Sequence, residues 1–152
     1  GGLLAAKFIQ LFEGTLEDHL VLSAFVPLVV YMSSAVGTQM GGFMIRDLAI
    51  IHQLPFAKYF YRQLFITVAM ALCFAVLLFA VVTFFYGSIV LGSVLGISLF
   101  FSIVSSIFTG LVIPEFFNLL KMDPANASGP IATIIQDLVS IIIYFGVATM
   151  LL

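Results

Sequence analysis

Four stretches of this chain run with at most one charged side chain for longer than a lipid bilayer is thick. They extend from Leu20 to Ile45, from Leu64 to Tyr86, from Ile89 to Ile113 and from Pro130 to Leu152, the last interrupted only by Asp137. A helix needs roughly 20 apolar residues to cross a hydrocarbon core of about 30 Å, and within that core every backbone N–H and C=O must be satisfied by the protein itself. Regular alternation at the spacing of a barrel strand is absent. The chain is therefore read as an all-α integral membrane protein, a helical bundle. Composition agrees, with 63% hydrophobic and 8% charged residues and a mean hydropathy of +1.29, far from the balance of a soluble domain.

The opening "GGLLAAKFIQLF" is apolar but too short to cross, and it lacks the basic start and cleavage site of a signal peptide. It reads as the outer half of a first helix whose beginning lies upstream, with a re-entrant segment as the alternative. The expected helices cover approximately 1–16, 20–50, 58–86, 88–119 and 129–152, five per protomer in one transmembrane domain. Connections are short, and no linker, low-complexity tract or internal repeat divides the chain, so a symmetric pore would require a second copy.

Of the five basic residues, Arg46, Lys58 and Arg62 flank the second connection and Lys121 the fourth. The bias of such residues toward the cytoplasm places both connections inside and the C-terminus outside, in a multi-pass protein of the cell (inner or plasma) membrane. The acidic "FEGTLEDH" then faces outward, where Glu13, Glu17 and Asp18 either attract cations or are simply solvated. Tyr59 and Tyr61 would mark the inner interface and Tyr86 the outer. No basic tract suits a nucleic acid. Cys73 is the lone thiol, expected to serve as a small packing residue. The sequon at Asn126 to Ser128 would be inaccessible in this orientation.

Polar groups concentrate on two helices. Pro130 suits a first helical turn, with Ser128 or Gly129 as cap, and that start puts Asp137 about 10 Å along the helix. Gly129, Thr133, Asp137, Ser140 and Tyr144 step by four, four, three and four, one face of a helix. In the second helix Pro27, Tyr31, Ser34, Thr38 and Gly41 form a matching seam, and Pro27 releases the carbonyl of Ser23 from its helical bond. A carboxylate at the bilayer centre costs on the order of 3 kcal/mol, so Asp137 should face a cavity, a partner or an ion. The blander alternative is a protonated acid hydrogen-bonded to a neighbouring helix; Lys7, the other embedded charge, is explained by snorkelling. Gly37 with Gly41, Gly92 with Gly96, and the row Ser98, Ser102, Ser106 read as close helix packing.

Oxygen donors without a His/Cys cluster suit a hard cation, and His19 and His52 are assigned to opposite faces of the membrane, which leaves zinc or copper unsupported. Mg²⁺ gives up water reluctantly and is commonly held by one or two carboxylates through its hydration shell. Two copies of Asp137 related by an axis meet that requirement.

With these residues in view, "FVPLVVYMSSAVGTQMGGFMIRDLAI" and "DPANASGPIATIIQDLVSIIIYFGVATMLL" resemble the transmembrane domain of the MgtE-type magnesium transporters and their eukaryotic solute-carrier relatives. The resemblance implies a homodimer of five-helix protomers whose second and fifth helices line a central Mg²⁺ path. It implies that Asp137 is the pore aspartate, that Thr133 and Ser34 present backbone oxygens to the ion, and that Thr38, Gly42, Asn126 and Gly129 surround a cytoplasmic constriction. Where the family commonly shows GN-x-GNQ, this chain reads "SAVGTQ" from Ser34 to Gln39, keeping only Gly37 and Gln39. Typical bacterial members also carry a soluble N-terminal Mg²⁺-sensing region; the 152 residues contain none, and a start within the first helix leads us to expect sequence upstream.

The expected function is Mg²⁺ or related divalent cation transport down the electrochemical gradient. A Na⁺- or H⁺-coupled Mg²⁺ exchanger is the alternative, and a non-transporting membrane assembly module is a third reading. An intramembrane enzyme is disfavoured, because Asp137 has no second deep acid in its own chain and no His lies within the bilayer.

Overall fold

The computed structural model describes residues 2–10, 12, 20–51 and 54–152. Glu13, Glu17, Asp18, His19, His52 and the end of the expected 1–16 helix lie outside the described residues. Most of the described residues are helical. Helix α1 spans Gly2–Gln10, α2 Leu20–Ile50 and α3 Phe56–Tyr86. Helix α4 covers Ile89–Ile107 and continues through a π-helical turn at Phe108–Val112 into α5, Ile113–Leu119; α6 runs over Pro124–Leu151. Among the described residues four helical rods, counting α4 through α5 as one, are long and apolar enough to cross a membrane.

Local chemistry sets the boundaries. At the end of α3, Gly87 adopts φ +65° and its N–H donates to the carbonyl of Thr83 at 3.0 Å, a left-handed cap that glycine adopts without a Cβ clash. Ser88 follows at once as N-cap, its Oγ accepting from the N–H of Leu91 at 3.2 Å, so α3 and α4 form a tight antiparallel pair. Pro114 has no N–H for the carbonyl one turn back, and immediately before it the helix takes up the wider π spacing.

The start of α6 corrects the sequence reading. Asp123, not Ser128 or Gly129, is the N-cap: its Oδ1 accepts from the N–H of Ala125 at 3.0 Å and its Oδ2 from the amide of Asn126 at 3.2 Å. Pro124 takes the first-turn position and Pro130 lies inside the helix. "DPAN" is a better start signal than "SGP" because an acid that caps also favours the positive end of the helix dipole. From that start Asp137 lies about 20 Å along the axis, near the middle of a 28-residue helix, deeper than the sequence suggested. Helix α3 likewise begins at Phe56 rather than 58.

Helices α2, α4 and α6 pack mutually, α1 leans on α6, and α3 lies against α4 on the outside. The core between them holds Leu22, Val29, Met44, Leu95, Leu99, Ile103 and Phe145, all essentially inaccessible. Phe65, Phe84 and Phe85 on α3 are exposed, as a lipid-facing surface requires. Cys73 is exposed on α3 instead of packed. Tyr59 turns inward, its hydroxyl donating to Asp47 Oδ2 at 2.9 Å, while Arg46 pairs with Asp47 Oδ1 at 2.8 Å; Tyr61 and Tyr86 stay exposed.

Small residues allow the close approaches. A Cβ at Gly110 would stand 2.7 Å from the carbonyl oxygen of Gly37, and one at Gly37 would stand 3.2 Å from Cβ of Ser106. On the other side Gly92 and Gly96 seat α4 against the backbone of α3 at Phe79 and Ala75. Backbone cannot yield as a side-chain tip can, so Gly110→Ala should destabilise the folded protein by about 1–3 kcal/mol. Gly146→Ala, where an added Cβ meets nothing within 4 Å, should be nearly neutral. Unfolding in detergent compares the two; equal midpoints would contradict the contact between α2 and the π turn.

Candidate functional site

The site is built where α2 and α6 run side by side. Ser34 on α2 donates its hydroxyl to Asp137 Oδ1 at 2.7 Å. One residue earlier on α2, Ser33 meets Ser140 of α6 at 2.7 Å, both side chains fully buried. Two hydrogen bonds of adjacent register thus join the helices, the inner one dry and the outer one at a half-buried carboxylate.

Towards the start of α6 the helices part around a cavity of about 180 Å³. Ser34, Thr38 and Gly42 line it from α2, and Gly129, Thr133 and Gln136 from α6. Thr109 of the π turn and Pro114 of α5 close the back. Five of the seven residues singled out in the sequence therefore share one cavity. Asp137 joins it through Ser34. Asn126 does not line it; its side chain is engaged with Asp123 at the helix cap. The hydroxyl of Thr133 donates to the carbonyl of Gly129 at 3.0 Å, so its side chain is folded back along the helix.

The predicted single stripe on α6 divides in two. Gly129 and Thr133 are exposed, whereas Ser140 and Tyr144 are inaccessible. By angle the five residues stay within about 80° of one another, with Ser140 and Tyr144 falling between Gly129, Thr133 and Asp137, so the division follows depth along the helix: the early residues border the cavity and the later ones press onto α2. There Tyr144 donates to the carbonyl of Leu22 at 2.8 Å, in the first turns of α2 just ahead of Pro27. The seam on α2 stays open: Tyr31 is 78% exposed, and Pro27 and Thr38 are also exposed.

Sequence reasoning missed Gln136. Its side chain is 1% exposed. Its Oε1 accepts from the hydroxyl of Thr109 at 2.8 Å, and its Nε2 donates to the carbonyl of Ser102 at 3.0 Å, to Ser140 Oγ at 3.1 Å and to Ser105 Oγ at 3.2 Å. An uncharged amide within an isoleucine-rich run gives little warning. The available signal was the four-residue spacing of Gln136 and Ser140 opposite the serine row of α4.

Among the described residues no cation pairs with Asp137; the one ion pair is Arg46–Asp47, and Lys7 is exposed. No group of three or more His, Cys, Asp or Glu gathers to hold a metal among them either. One carboxylate with hydroxyls and a small-residue wall cannot strip and enclose a cation, but it can hydrogen-bond to a cation's water shell.

In a Cys73→Ser background, Thr38→Cys and Thr133→Cys should react with a charged, membrane-impermeant thiol reagent applied to both faces of solubilised protein. Ser140→Cys should not react. Equal labelling of all three would contradict the division between the open stretch of the helix pair and its packed stretch.

Comparison with known proteins gives a consistent picture. The family model described as MgtE, divalent cation transporter, matches residues 26–147. The chain is 33% identical over 150 residues to the magnesium transporter MgtE of Bacillus subtilis, covering 97% of this chain and 33% of that protein. It is 27% identical over 151 residues to the magnesium transporter MgtE of Enterococcus faecalis, covering 98% and 33%. With the magnesium transporter MgtE of Thermus thermophilus it shares 27% identity over 153 residues, covering 99% and 34%. The chain spans about a third of the length of these curated relatives.

Proposed function

The chain belongs to the MgtE family of divalent cation transporters, and from that premise we propose that it carries Mg²⁺ across the membrane through a homodimeric pore lined by α2 and α6. The observation that carries this reading is the half-buried Asp137 carboxylate, held by Ser34 at 2.7 Å at mid-helix beside an open polar seam. Facing lipid, such a seam would cost several kcal/mol. A second copy laid over it by a two-fold axis removes the seam from lipid and brings two carboxylates toward each other.

A hydrated Mg²⁺ between the two acids satisfies both. Two like charges alone would repel, and the ion converts that repulsion into attraction while keeping most of its water. The neighbouring hydroxyls and small residues provide width for the shell; Thr38, Gly42, Thr133 and Gly129 line the widening on one side of Asp137. With the connections at 51–55 and 120–123 inside, as their basic flanks favour, that widening is the cytoplasmic mouth. A membrane potential of 100 mV would then assist inward movement of a double charge by about 4.6 kcal/mol.

Mg²⁺ influx into liposomes containing the protein should fall at least tenfold, a loss of about 1.4 kcal/mol or more in transition-state stabilisation, for Asp137→Ala. It should follow imposed voltage and be insensitive to sodium or pH gradients at fixed voltage. Undiminished flux in the variant would remove Asp137 from the path. Flux that requires a sodium or proton gradient would convert the pore into an exchanger.

A further inference from the structure

We infer that Gln136 is a positioning residue for the cation path: it fixes the rotation of α6 so that Asp137 points at Ser34 and the open seam, and it holds the π turn against the back of the cavity. This rests on the transport reading above and assigns a role within it to a residue that touches no ion.

The geometry distinguishes Gln136 from its neighbours. A primary amide has two N–H donors and one carbonyl acceptor, and here both ends are engaged. The acceptor end takes the Thr109 hydroxyl of the π turn at 2.8 Å. The donor end reaches the Ser102 carbonyl and Ser105 on α4 and Ser140 on its own helix, at 3.0 to 3.2 Å. Through Ser140 the chain of bonds continues to Ser33 at 2.7 Å, so one buried side chain connects the π turn, α4, α6 and α2. Ser33 and Gln136 each directly precede a member of the Ser34–Asp137 pair.

Rotation is the coordinate that matters. Adjacent helical residues are about 100° apart, so the direction of Gln136 determines that of Asp137. Apolar packing around the pair constrains that angle weakly, because Ile134, Ile135 and Ile142 are exposed and one branched side chain can replace another there as α6 turns; the buried apolar anchors Ile141, Phe145 and Ala148 lie farther along the helix. Hydrogen bonds in a dry interior are directional, and a turn that breaks them leaves buried polar atoms unpaired. Thr109 adds the second function. It lines the same cavity as Gln136, so releasing it would free the π turn to change the wall opposite Thr133.

A purely structural role predicts fewer folded molecules with unaltered ion handling; a positioning role predicts altered ion handling in folded molecules. Mg²⁺ influx is measured in liposomes against Mg²⁺ concentration for the unmodified chain, Asp137→Ala, Gln136→Leu and Thr109→Val, each normalised to folded protein by size exclusion. Gln136→Leu should raise the half-saturating Mg²⁺ concentration by about tenfold, the lower end of losses seen when outer-shell partners of a metal site are removed. Thr109→Val, which removes the donor to Oε1 together with that hydroxyl's contact to the Ser106 carbonyl on its own helix at 3.0 Å, should shift it in the same direction by less, and it carries the test alone if Gln136→Leu does not fold. An unchanged half-saturating concentration in the folded variants, with Asp137→Ala impaired, overturns the positioning role and leaves the pore. Undiminished flux in Asp137→Ala overturns both.

Discussion

A carboxylate halfway along a membrane-spanning helix is the constraint around which the rest of the molecule is organised. Lipid offers Asp137 neither water nor counter-charge, so the protein must provide surroundings that tolerate a charge without neutralising it. Ser34 does part of this by donating one hydrogen bond at 2.7 Å. An arginine or lysine in that place would have satisfied the acid permanently and excluded an exchangeable cation. A single hydroxyl orients it and leaves the remaining lone pairs for a water shell.

Helix α6 consequently presents its polar side chains in two settings along its length. The earlier set, Gly129 and Thr133, lies at the cavity, with Asp137 beside it. The later set, from Gln136 through Ser140 to Tyr144, is bonded to α2, α4 and the π turn. On the proposed reading, this rigidity behind the acid would keep the carboxylate in the geometry that a hydrated ion requires. The close contacts at Gly37 and Gly110 extend the same logic: backbone lies on backbone where the cavity wall must not move.

Much of the fold is legible in the amino-acid sequence. Charge-free runs of bilayer length mark the long apolar helices, and periodicity picks out the exposed seam on α2 that holds Pro27, Tyr31 and Thr38. What escaped depended on distance in space rather than along the chain. The wider turn at Phe108–Val112 follows from Pro114 and from packing against α2, and no local periodicity announces it. Pro130 resembled a helix start because proline is usual there, yet the stronger cap at Asp123 lay two turns earlier and the helix runs through Pro130. Ser140 and Tyr144 do share the angular sector of Asp137, but the separation of the two helices changes along their length, open at the cavity and closed beyond it, and no spacing along the chain encodes that. Gln136 is uncharged and lies in an isoleucine-rich run, so beyond its four-residue spacing to Ser140 only its partners on α4 and the π turn distinguish it.

The central claim is that two copies of Asp137 face each other across a hydrated divalent ion. Crystals of the protein grown with Mn²⁺ in place of Mg²⁺ and measured at the manganese absorption edge test it most directly. The account predicts one anomalous peak on the two-fold axis between the carboxylates, at a distance that leaves room for ordered water, and loss of that peak in Asp137→Ala. Protomers joined through another surface, with Asp137 turned to lipid and no peak between the acids, would contradict it.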